Sequence, residues 1–117
     1  MSIKNLTQHA PTQEQYDGRG GVTGVDENVV ALLNFETPPS VEEIHERAAA
    51  LAALAAGFES AMIGGAPYLM GPLCEALKAV GVQPLFSFSE RRSSEQQMPD
   101  GTVKKVSVFA HVAWVAV

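Results

Sequence analysis

Several kinds of residue are scarce in this chain, and each scarcity narrows the reading. Of 117 residues only one is cysteine, so Cys74 has no partner for an internal disulfide. No HxxxH, HExxH or CxxC spacing occurs, and no metal or other cofactor is expected. No apolar run approaches the roughly 20 residues that a helix needs to cross a bilayer. The opening Met-Ser-Ile-Lys-Asn-Leu lacks the apolar segment of a signal peptide, so the expectation is a cytoplasmic protein with no membrane contact. Basic residues are few: 8 Lys and Arg stand against 13 Asp and Glu, a net charge of −5 with a pI near 5.0. That balance excludes a protein that coats long DNA or RNA, whose phosphates demand a basic face. What remains is 46% hydrophobic and 18% charged, with a mean hydropathy of +0.05. This is the composition of a globular domain, and one domain over residues 1–117 is expected.

Local signals then divide the chain. Residues 2–7 have the texture of a short strand. Thr12-Gln-Glu-Gln15 has capping-box spacing, and residues 17–24 hold four glycines, a loop or a crossing into the next element. Asp26 caps a short helix carrying Val29, Val30, Leu32 and Leu33, which ends before Pro38-Pro39. Ser40-Val-Glu-Glu43 is a second capping box; Val41, Ile44, Ala48, Leu51 and Ala55 follow at helical spacing, with Gly57 as the stop. Residues 58–63 lead through Gly64-Gly65 and Pro67 into a helix whose apolar face is Leu69, Met70, Leu73, Cys74 and Leu77, with Gly81 as cap. Residues 85–89 read as the next strand, which makes a right-handed parallel crossover. Met98-Pro-Asp-Gly-Thr102 is a turn between residues 93–97 and the valine-rich 103–117. That last strand does not alternate, so it is expected to be buried on both faces or to lie at a subunit contact. The expected fold is a small three-layer Rossmann-like α/β domain with a mostly parallel sheet of about five strands and a C-terminal antiparallel hairpin.

In such sheets, ligands sit beyond the carboxyl ends of the strands. Three segments qualify as loops there: Thr7-Gln8-His9-Ala10, Ile63-Gly64-Gly65-Ala66-Pro67, and Phe88-Ser89-Glu90-Arg91-Arg92-Ser93-Ser94. They offer a hydroxyl, an imidazole, bare glycine amides before a helix, and two guanidiniums, a set that suits phosphate. Four of the 8 Lys and Arg residues, Arg91, Arg92, Lys104 and Lys105, fall within this last region and the hairpin. The plain readings stand beside these: Gly64-Gly65 as a tight turn, and the arginines as a solvated surface paired with Glu90 and Glu95. His45 reads as a solvated helix residue, His111 as a core or interface histidine, and Cys74 as packing. His9 follows the first strand directly and is a candidate for function. Ser87 or Ser89 are placed to meet His9 across adjacent strand ends.

The stretch Asn5-Leu-Thr-Gln-His-Ala-Pro-Thr-Gln-Glu-Gln15 resembles the start of small CRISPR-associated proteins that bind cyclic oligoadenylate, which open with an apolar strand, a Ser/Thr-x-His step and a Thr-x-Glu-Gln helix start. Ala61-Met-Ile-Gly-Gly-Ala-Pro-Tyr-Leu-Met70, Phe88-Ser-Glu-Arg91 and Pro99-Asp-Gly-Thr-Val-Lys-Lys105 resemble an uncharacterised group of small bacterial and phage proteins. The first resemblance implies a Rossmann-like homodimer that holds a cyclic RNA messenger of antiviral signalling, or of its suppression, across a two-fold axis, either cleaving it or sequestering it. It puts the family's hydroxyl and imidazole on Thr7 and His9. Strand-end geometry adds Gln8, Gly64, Gly65, Ser89, Arg91 and Arg92 as ligand contacts. Were the ring cleaved, the ribose 2′-hydroxyl would serve as nucleophile without metal, Arg91 would stabilise charge and His9 would act as acid or orienting group. Two other classes remain open: a nucleoside- or nucleotide-processing enzyme, which would need Glu90 or Glu59 as its carboxylate, and a non-catalytic interaction domain built on Phe109, His111, Trp114 and the valines.

Overall fold

The capping signals are satisfied in a computed structural model, which describes residues 2–12, 15 and 21–117. Helix α1 (Glu27–Leu33) starts at Asp26, whose carboxylate accepts from the Asn28 amide at 2.9 Å. Helix α2 (Val41–Ala55) starts at Ser40, whose hydroxyl accepts from the Glu43 amide at 3.1 Å, and gives way to Gly57 at a φ of 93°. Helix α3 (Pro67–Ala79) begins with proline in its first turn, where the missing amide costs nothing, and is followed by Gly81 at φ 76°. The strands are β1 (Ile3–Leu6), β2 (Ser60–Ile63), β3 (Gln83–Gln97) and β4 (Val103–Ala116). They form one sheet in the order β1-β2-β3-β4, with β1, β2 and β3 parallel and β4 antiparallel to β3. The α/β class, the mostly parallel sheet and the C-terminal hairpin all agree with expectation.

The sheet has four strands rather than about five. A single parallel bridge from Ile3 to Val22 adds to the outer edge of β1, held by the Ile3 amide on the Gly21 carbonyl at 2.8 Å and the Thr23 amide on the Ile3 carbonyl at 2.9 Å. Counting that bridge, the order is Val22-β1-β2-β3-β4, so the chain leaves β1 toward one edge and then turns back toward the other. Successive right-handed crossovers in opposite directions lie on opposite faces. Helices α1, α2 and α3 accordingly share one face: Val29, Leu33, Ala48, Leu51, Leu69, Leu73 and Leu77 pack with Leu6, Ala61 and Ile63 in one buried cluster. On the other face Ile3, Val22, Met62 and Leu85 form a smaller cluster under Trp114. In place of three layers, the described residues thus show one helical layer on the sheet. The helical stripes are as expected except at Val41, which is 70% exposed.

Two expectations at the C-terminal end are corrected. The strand expected at residues 85–89 and the first arm of the hairpin are one continuous strand, β3, so residues 88–94 do not form a loop that enters a helix. Because β2 pairs with β3 only over Gln83–Leu85, the rest of β3 has β4 alone as partner and projects as a ribbon, stretching the molecule to 56 × 36 × 23 Å. For β4, burial on both faces gives way to an exposed strand, with Val103, Val112 and Val115 all more than 40% exposed, which leaves the alternative of a subunit contact. Half of the four-glycine stretch, residues 17–20, lies outside the described residues. No helix among the described residues is long and apolar enough to cross a membrane.

Asp26 ties β1 to α1, since its other carboxylate oxygen lies 3.2 Å from the Lys4 ammonium. The Asn28 amide first, and then Lys4, hold this carboxyl below its ordinary value. Its contribution is therefore present above the ordinary carboxylate range and is lost as pH falls through the lowered folded-state value. Asp26→Ala should lower the melting temperature at pH 7 and reduce the additional loss seen below about pH 4; thermal melts of both forms across pH 2–7 check this.

Candidate functional site

The exit of β1 is built around Asn5, which is fully buried. Its Oδ1 accepts from the Thr7 amide at 2.9 Å and the Thr7 hydroxyl at 2.7 Å, while its Nδ2 donates to the His9 carbonyl at 2.9 Å. The backbone amide of Asn5 donates to the Thr23 hydroxyl at 2.8 Å. This is an Asx-type turn, in which a short side chain replaces the ladder bonds that end with the strand. Its effect is to curl residues 7–9 back over the sheet end. Gln8 then reaches the α1 terminus, its Nε2 donating to Asn34 Oδ1 at 3.1 Å.

Opposite this curl lies the turn between β2 and α3. Gly65 sits at φ 151°, where a side chain would be strained, and a Cβ there would also meet Leu33 and Met70 at 3.5 Å. Gly64 has no such constraint: a Cβ would meet only the Thr7 methyl, at an ordinary 3.5 Å. The first turn of α3 has no side-chain cap; Pro67 brings no N–H and the Leu69 amide donates to the Ala66 carbonyl at 3.0 Å. Two adjoining cavities fill the space between the loops. One, about 250 Å³, is lined by Gln8, His9, Gly64 and Gly65. The other, about 260 Å³, reaches from His9 and Gly64 past Thr7 and Met62 to Thr12, Gln15 and Ser87. A larger cleft of about 580 Å³ lies by the connection from α1 to α2, between Phe35, Pro38, Pro39, Ile44 and Tyr68. Its wall is aromatic and aliphatic, with Phe35 and Tyr68 edge to face at 5.5 Å and Arg47 over the Phe35 ring at 4.2 Å. The smaller pair is the better candidate for chemistry, because polar groups converge there from four parts of the chain.

Thr7, Gln8, His9, Gly64 and Gly65 are therefore brought together as the strand-end argument expects. Their roles differ. The Thr7 hydroxyl is engaged with Asn5 and the His9 backbone, so it shapes the loop, whereas the exposed His9 side chain borders both cavities. Ser89, Arg91 and Arg92 lie on β3, along the ribbon, and Ser89 and Arg91 are not among the described residues lining either cavity. The physical reason is that antiparallel pairing with β4 holds residues 88–94 extended. Glu59 and Glu90 are exposed and also outside the lining, and His45 is exposed on α2. Cys74 packs against the helical cluster, where burial pushes its thiol up.

Three contributors were not singled out from sequence as site residues, Asn5, Gln15 and His111, while Ser87 was considered only as a partner for His9. Thr12 and Gln15 do form a capping box, with the Gln15 amide on the Thr12 hydroxyl at 3.2 Å and the Thr12 amide on Gln15 Oε1 at 2.9 Å. That leaves Gln15 Nε2 to donate to the Ser87 hydroxyl at 3.1 Å. Ser87 Oγ also lies 2.5 Å from His111 Nδ1, and the His111 ring leans on Trp114 with centroids 4.6 Å apart. Trp114 Nε1 is buried with no hydrogen-bond partner among the described residues. A sequence signal for this cluster existed. From the turn at 98–102, pairing Gln97 with Val103 and stepping back residue by residue brings Ser89 opposite His111. The irregularity between Phe88 and Ser89 then shifts the register so that Ser87 lies opposite Trp114.

These features define an α/β protein with a crevice of mixed polar and apolar lining at the carboxyl ends of its first two parallel strands. The chain belongs to the Uncharacterized protein MJ1673 family, which it matches over residues 1–115. No curated protein and no solved structure matches it.

Asn5→Ala should cost about 1–3 kcal/mol, because the Thr7 amide and the His9 carbonyl lose their partners. Trp114→Phe, which keeps a ring and removes the orphaned donor, should cost clearly less than Trp114→Ala, for which about 3 kcal/mol is expected. Urea unfolding of the three variants measures both.

Proposed function

We propose that the crevice between the β1 exit and the β2–α3 turn binds a cyclic oligoadenylate, and that the protein takes part in CRISPR-type antiviral signalling or its suppression. One observation carries this: His9 and Gly64 border both adjoining cavities, so the loops leaving neighbouring parallel strands enclose one polar site where the chain reverses direction. In a doubly wound, Rossmann-like sheet this reversal is where nucleotides bind. The N-terminus of α3 beside Gly64 and Gly65 favours a phosphate, and the His9 imidazole stands where it can donate to one. The resemblance of residues 5–15 to cyclic-oligoadenylate-binding proteins supplies the ring; the site's chemistry supplies the phosphate. A homodimer would hold a ring across its two-fold axis.

A second reading, a protein-interaction domain, is favoured by the exposed apolar residues Phe88, Val103, Val112 and Val115 along the ribbon. The two separate in a native gel with cyclic tri-, tetra- and hexa-adenylate, with and without EDTA, followed by chromatography of the recovered nucleotide. A shift with one ring supports the proposal; a linear product in EDTA adds metal-independent cleavage, and intact ligand means sequestration. Gly64→Ala should keep the wild-type melting temperature and weaken the shift at least tenfold, since its Cβ enters the crevice without backbone strain. No shift with any ring leaves the interaction reading.

A further inference from the structure

Ser87 and His111 are the one nucleophile and base that the described residues bring into direct hydrogen-bond contact, and nothing in the ligand-binding proposal uses them. The capping box between Thr12 and Gln15 fixes the Gln15 side chain: its oxygen accepts from the Thr12 amide, so its NH₂ group must be the part that faces Ser87. Ser87 Oγ therefore accepts a hydrogen bond from Gln15, and its own hydroxyl proton has to go elsewhere. Ser87 Oγ lies 2.5 Å from His111 Nδ1 and 3.3 Å from Ser89 Oγ; in the tautomer that carries its proton on Nε2, the imidazole accepts the Ser87 proton. The His111 side chain is buried, against the Trp114 ring, while Ser87 lines the 260 Å³ cavity. A serine facing a cavity, with a buried imidazole taking its proton from behind, is the arrangement of an activated nucleophile. The described lining of this cavity is largely apolar, with Ala10, Met62, Ile63 and Phe86, and sets the Thr12 hydroxyl, the Gln15 amide and the His9 imidazole beside Ser87.

We propose that Ser87 is a nucleophile activated by His111 and that it attacks the phosphorus of a phosphodiester seated in this cavity. As the Ser87 Oγ–P bond forms, the hydroxyl proton passes to His111 Nδ1. The P–O bond to the leaving oxygen then breaks, and that oxygen takes the proton from the imidazolium. Water, deprotonated by the same imidazole, attacks the seryl phosphodiester, the Oγ–P bond breaks, and Ser87 recovers its proton. The nucleophile is independent of the ligand proposed above; only the phosphodiester class rests on that reading.

The test is to treat the intact protein with a fluorophosphonate, map the adduct by peptide mass, and assay release of nitrophenol from bis(4-nitrophenyl) phosphate and from 4-nitrophenyl acetate. The expected result is one adduct, on Ser87, with Ser89 unmodified although it lies two residues away on the same strand. Labelling should slow by roughly 10²–10⁴-fold in His111→Gln, and phosphodiester turnover should vanish in Ser87→Ala at an unchanged melting temperature. Equal labelling of Ser87 and Ser89 in the wild-type protein, or no adduct at Ser87, overturns the proposal without need of a folded variant. Turnover of the acetate alone overturns the phosphodiester class. Labelling of Ser87 in a protein that shifts no cyclic adenylate sustains the nucleophile and removes the ligand.

Discussion

The carboxamide of Asn5 is the small group on which the site depends. It lies at the bottom of β1 with no exposure to water, and its oxygen and nitrogen bind three backbone or side-chain groups of the next four residues. A buried amide of this kind is stabilising only while every bond is made. The loop that carries Gln8 and His9 is therefore held in one shape by the strand that precedes it. The same strand is bridged by Val22 on its outer edge and paired with β2 on its inner edge. The polypeptide thus leaves the ends of β1 and β2 in different directions, and a crevice between them is a consequence of connectivity.

The ribbon adds a second constraint. A two-stranded hairpin is marginal by itself in water, and this one is anchored at its base, where β3 joins β2 and where Ser87, His111 and Trp114 pack beside the second cluster. The hydrogen-bond chain from Thr12 through Gln15 to Ser87 and His111 therefore joins the crossover after β1 to the base of the ribbon. Structure and chemistry share these residues. A serine that completes a polar network between two distant segments is also the one that faces the cavity.

Much of this was legible in sequence because it is local. The caps at Asp26 and Ser40, the stops at Gly57 and Gly81, and the apolar stripes of α2 and α3 depend on residues within a turn or two of each other, and all occur where they were expected save for the exposed Val41. The glycine turn after β2 was legible for the same reason, and with it half of the crevice. What failed was non-local. Residues 88–94 hold Ser, Glu and Arg in a cluster that reads as loop, yet they lie in a strand because β4 pairs with them. Arg91 and Arg92 consequently belong to the ribbon, and Arg91 is not among the described residues lining the crevice. His111 looked like a packing residue because nothing near it in sequence identifies its partner, which is 24 residues away. Asn5 looked like part of a motif whose hydroxyl and imidazole mattered; its own side chain organises both.

The most direct test of the central claim is backbone amide mapping by NMR of the isotope-labelled protein titrated with cyclic tetra-adenylate. If the crevice is the ligand site, the Gln8, His9, Gly64 and Gly65 amides shift in step with saturation and the far end of the ribbon does not. Shifts confined to β4, or to the cleft beside Phe35 and Tyr68, would contradict the account and move the site elsewhere on the molecule.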